Sequence, residues 1–94
     1  MKTYVYGLCY NRHPAPVREA IFPTNIDFKI GSSGLRDMAA RRIPQDCERL
    51  ALYTSGCVIA LMAVVAVCVE RGIKLTTYHY IAESHSYDRQ DVLP

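Results

Sequence analysis

The sequence has no CxxC pair, no paired-histidine spacing, no Walker loop, no glycine-rich dinucleotide fingerprint and no nucleophile elbow. Each absence removes a ready-made chemistry, from structural zinc to phosphate cradling to serine hydrolysis. A long hydrophobic run is missing as well: the longest, Cys57 to Val69, is 13 residues. That is short of the roughly 18–20 needed to cross a bilayer, so it reads as a buried helix. The start of the chain has one lysine and then tyrosines and glycine, without an apolar core or a small-residue cleavage site. It therefore predicts no signal peptide, a cytoplasmic location and no membrane partner. An excess of one charge is also lacking: 11 basic residues face 9 acidic ones. A net +2 is too balanced to argue for nucleic acid as a partner.

What is present is ordinary globular composition, half apolar and 21% charged over 94 residues. One domain is expected, near the small end of what buries a self-sufficient core, which makes oligomerisation an expectation. Cys9, Cys47, Cys57 and Cys68 are spaced 38, 10 and 11 residues apart. They read as structural thiols of a reducing compartment, and neither a metal nor a cofactor is expected.

Residues 2–9, rich in Tyr and Val, read as a first strand. Pro14, Pro16 and Pro23 then leave residues 10–33 mostly loop. Ser32 or Ser33 is placed to cap a helix beginning at Gly34, with Leu35, Met38, Ala39 and Ile43 on one stripe and Pro44 at its end. Residues 49–54 predict a second strand, 57–71 an apolar helix stopped by Gly72, and 73–80 a third strand. The expectation is an α/β fold with two main helices on a small Rossmann-like parallel sheet of three strands, with room for a fourth. Residues 1–82 would form this single domain and residues 83–94 a polar, loose C-terminal tail.

Alternation assigns Val5, Leu50, Leu52, Ile73 and Leu75 to one sheet face and Tyr4, Tyr6, Tyr53, Tyr78 and Tyr80 to the other. The second helix is apolar at every position from Cys57 to Val69, so no side of it suits water. A homodimer sharing this helix or the tyrosine face would cover what a monomer leaves bare.

The candidate site lies at the carboxyl edge of the sheet. Thr54, Ser55 and Gly56 close the second strand and open the second helix, where free amides and the helix dipole attract anions. The plain alternative is a capping residue and a tight turn. Asn11, Arg12 and His13 follow the first strand and would emerge at the same edge, bringing a phosphate clamp and an acid–base group, or merely a solvated loop. His79, ending the third strand, would complete the edge. Cys57 falls where a helix dipole activates a thiol, yet neither Cys57 nor Cys9 has arginine six residues on, as a phosphatase loop would. Arg36, Arg41, Arg42 and Arg49 are interspersed with Asp37, Asp46 and Glu48, the pattern of a solvated helix face. No residue is assigned a catalytic role.

The block Leu50 to Tyr80 resembles the strand–turn–helix–strand segment of the CRISPR-associated Rossmann fold family. The matching residues are Thr54-Ser55-Gly56, then Ala60, Ala63 and Ala66, then Gly72. The resemblance covers about a third of the chain. It implies a dimeric sensor whose paired turns bind a cyclic oligonucleotide, with slow cleavage of that ligand in some members. The expected function is thus a homodimeric module binding a phosphate or nucleotide-type anion. The alternatives are a protein–protein assembly module without ligand, and a small phosphodiesterase-like nuclease using His13 or His79.

Overall fold

A computed structural model describes residues 1–9, 17–23, 26–54 and 57–94. Five strands form one sheet: β1 (Thr3–Cys9), β2 (Ala20–Phe22), β3 (Arg49–Thr54), β4 (Lys74–Ile81) and β5 (Ser86–Leu93). Their spatial order is β2-β1-β3-β4-β5, parallel except for the antiparallel β4–β5 pair. A 3-10 turn at Phe28–Ile30 leads into α1 (Gly31–Arg42), and α2 (Val58–Arg71) joins β3 to β4.

This corrects the expectation of a small parallel Rossmann-like sheet of three or four strands. β5 arises from the segment read as a loose tail: Ser86–Leu93 pairs with β4 along its length, from Ile81↔Ser86 to Leu75↔Leu93. It is an edge strand whose residues are mostly exposed, so it has no apolar alternation to reveal it; charge on an edge also discourages further strand addition. β2 has only three residues, fully buried beside β1, inside the stretch read as loop.

The crossovers β2–α1–β3 and β3–α2–β4 step in the same direction across the sheet, so right-handed connections bring both helices to one face. There α1 and α2 pack together. Leu35, Ala39 and Ile43 from α1 and Ala60, Val64 and Val67 from α2 share one core with Leu50, Leu52 and Leu75. Each Val, Leu or Ile among them contributes about 1.5–3 kcal/mol when fully buried. The β1–β2 connection steps the opposite way. Accordingly Val17 Cγ2 lies 3.4 Å from where a Cβ on Gly7 would stand, and Gly7 pairs with Tyr53 on the other face.

The sheet faces also differ from the expected partition. Tyr4 and Tyr6 pair with Leu50 and Leu52, so they lie on the helix-covered face, and Val5 pairs with Ala51 on the open one. The open face keeps Tyr53, Tyr78 and Tyr80 and gains Tyr87 of β5. Tyr53 stacks on Tyr78 with centroids 4.7 Å apart, and Tyr87 meets Tyr53 edge-on at 4.9 Å.

Helix α1 begins at Gly31, three residues before the expected Gly34, and neither Ser32 nor Ser33 caps it. Gly31, at φ 75° and ψ 177°, joins the 3-10 turn to the helix in a conformation that L side chains rarely adopt. Gly72 ends α2 as expected, in the left-handed region, its N–H donating to the carbonyls of Cys68 and Val69. Among the described residues no helix is long and apolar enough to cross a membrane.

Candidate functional site at the carboxyl edge of the sheet

Thr54, the last residue of β3, lies opposite His79, two residues before the end of β4. Both are on the helix-covered side of the sheet. Thr54 is buried and His79 is exposed. The Thr54 Oγ1 lies 3.3 Å from His79 Nδ1 and 3.4 Å from the Tyr78 carbonyl oxygen. A hydroxyl carries one proton, so both contacts are satisfied together when Thr54 donates to Tyr78 and accepts from an Nδ1–H of His79. That arrangement leaves Nε2 as the ring nitrogen outside the contact with Thr54.

The alternative reading of Thr54 as a cap for α2 does not hold. Its hydroxyl is engaged with β4, not with the amides of α2. The N-cap residue of α2 is Cys57, in extended conformation and without a side-chain capping bond. Amides in the first turn of α2 therefore receive no cap from its own N-cap side chain.

Beneath this edge lies a cavity of about 100 Å³ lined by Leu8, Thr54, Cys57, Val58, Leu61 and His79. Liquid water occupies about 30 Å³ per molecule, so the space takes one small group. Sites that enclose a whole small-molecule ligand run to about 300–1,000 Å³. Any larger ligand would set one end here and leave the remainder across the sheet edge.

Of the seven expected site residues, the structure brings Thr54 and His79 together. Asn11, Arg12, His13, Ser55 and Gly56 lie outside the described residues. Cys57 is half-buried at the cavity. The other cysteines are buried, with burial raising the Cys47 thiol above its ordinary range and pushing Cys68 up to about 11. Among the described residues no three His, Cys, Asp or Glu side chains converge as a metal site.

Sequence reasoning assigned no site to a groove of about 480 Å³ between α1 and α2. Phe28, Leu35, Ile59, Met62, Ala63 and Ala66 line it with Gly31, Ser32 and Arg36. The uninterrupted apolar run of α2 was its signal, since a helix apolar all round leaves one side unaccounted for. Comparison with family models, curated proteins and solved structures finds no match to the chain.

Proposed function

We propose that this protein is a ligand-binding α/β module that holds a phosphate-bearing or nucleotide-type anion at the carboxyl edge of its sheet. The observation that carries the reading is the Thr54–His79 pair at 3.3 Å, with a small cavity beside it and the N-terminus of α2 over it. A buried hydroxyl engages the imidazole at Nδ1, and with the ring doubly protonated the Nε2–H would donate to the anion. The first turn of α2, which takes no capping bond from the Cys57 side chain, adds amides and a favourable dipole. Asn11 begins two residues beyond the end of β1, the neighbour of β3, so Arg12 and His13 are within chain reach of the same edge. The resemblance of residues 50–80 to CRISPR-associated Rossmann fold sensors makes a cyclic oligonucleotide one ligand to try.

The test is thermal unfolding with inorganic phosphate, adenosine monophosphate and a cyclic oligoadenylate. Binding at a hundredfold excess over Kd stabilises by about 2.7 kcal/mol, a rise of roughly 10–20 °C for a domain of this size. Thr54→Val, His79→Ala and Arg12→Ala should each reduce the rise. No shift with any of the three probes overturns the reading. Recovery of the cyclic probe as a cleaved product would move the protein into the phosphodiesterase class.

A second reading, homomeric assembly, is favoured by a separate observation. The outer side of α2 leaves Val58, Ile59, Met62 and Val69 between 53% and 65% exposed. A soluble chain seldom leaves such a stripe bare without a partner.

A further inference from the structure

Among the described residues two surfaces stand out as open, and they differ in kind. The tyrosine face is furnished with its own contacts: Tyr53 on Tyr78, Tyr87 against Tyr53 and Tyr80, and Thr76 donating to Asp91 at 3.0 Å. Arg49, Lys74 and Arg89 share that face. The outer side of α2 is different, with no polar side chain but Cys57 from there to Val69. With Phe28 and Ile30, its four bare residues make six large apolar side chains between 38% and 65% exposed, where surface hydrophobics on a monomer are usually scattered singly. A standard interface takes ~800 Å² from each partner, and these residues would form its apolar centre.

We propose that α2 packs antiparallel on the α2 of a second copy, about a two-fold axis passing between Met62 and Ala66. This rests on the assembly reading and names its partner and its surface. In that arrangement Met62 faces Ala66 of the second copy and Ile59 faces Val69, a larger side chain against a smaller one each time. Ala63 and Ala66 border the groove between α1 and α2, walled by Phe28 and Leu35. The Met62 of each copy thus has a hollow to enter on the other. An isologous pair needs only one such self-complementary patch, which a partner of different sequence would have to match independently.

Sedimentation of the full 94-residue chain tests it. The expected mass at micromolar concentration is twice 10.6 kDa. Met62→Glu and Ala66→Glu should each halve the observed mass with far-ultraviolet circular dichroism unchanged, while Met62→Leu keeps the dimer. An Ile59→Cys, Val69→Cys double variant should oxidise to a covalent dimer. A dimer that survives both glutamates with its fold intact overturns α2 pairing and leaves assembly standing. A wild-type chain that stays monomeric at high micromolar concentration overturns both.

Discussion

The guanidinium of Arg71, in the last turn of α2, donates at 3.0 Å to the carbonyl of Ile43, the residue that ends α1. It reaches the Ala40 and Pro44 carbonyls as well. One side chain thus satisfies the carbonyl end of the neighbouring helix and places a cation at the negative end of its dipole.

Arg71→Ala should therefore destabilise the fold by about 1.5–3 kcal/mol, the range for hydrogen bonds to a charged group. Arg71→Lys, with a point charge and no planar fork, should recover part of the loss. Urea unfolding of the three proteins measures it, and equal midpoints would show that the contact contributes nothing.

The register of β1 makes a paired prediction. Leu52 is fully buried under the helices and Val5 is half-exposed on the other face. Leu52→Ala should cost about 2–5 kcal/mol, whereas Val5→Ala should stay within about 0.5 kcal/mol. Similar costs at the two sites would mean that they share a face.

Gly34 offers a test whose sign opposes helix propensity. Alanine at an exposed helix site usually gains about 1 kcal/mol over glycine. Here a Cβ would stand 2.7 Å from the Cβ of Ile30, an atom with little freedom to yield. Gly34→Ala should lower the melting temperature, and a rise would show that the start of α1 adjusts easily.

Acid and base should weaken the fold through different groups. A hydrogen bond from Tyr4 holds the Asp46 carboxyl below its ordinary range, and one from Thr76 with the charge of Arg89 does the same for Asp91. The folded state binds these protons less readily, so their stabilisation is present above about pH 4 and lost as pH falls through the depressed values. Asp46→Asn should flatten the acid limb of a stability–pH curve. Cys68 behaves oppositely: burial raises it from 9.0 to about 11, so its contribution is complete below pH 9 and lost on the way to 11. Cys68→Ala should flatten that alkaline limb, and iodoacetamide at neutral pH should modify Cys57 before Cys68.

The parts of the fold legible in the sequence are those with a buried side. β3 shows its alternation at Leu50, Leu52 and Thr54, and α2 declares itself by an apolar run stopped at Gly72. Leu35, Ala39 and Ile43 likewise mark the inner stripe of α1. Edge strands escape this logic. β5 mixes Asp88, Arg89, Gln90 and Asp91 without alternation, and β2 is too short for a period. Tyr4 and Val5 were assigned to the wrong faces because neighbouring strands must be aligned before faces can be compared, and a slip of one residue inverts them. Thr54 and His79 are legible as a pair because both stand near the carboxyl ends of neighbouring parallel strands. What could not be read was that the Thr54 hydroxyl would turn to β4 instead of capping α2, a choice made by strand register.

Tyr87 of β5 touches both Tyr53 and Tyr80, and Leu93 stands opposite Leu75 of the core. Of the five strands, the one that follows all the others in the chain is therefore the one that covers β4. Until residues 86–93 emerge from the ribosome, β4 is a bare edge, with Tyr78 and Tyr80 uncovered and the backbone groups of Thr76 to Ile81 unpaired on that side. In that interval β4 is open to pairing with the wrong strand.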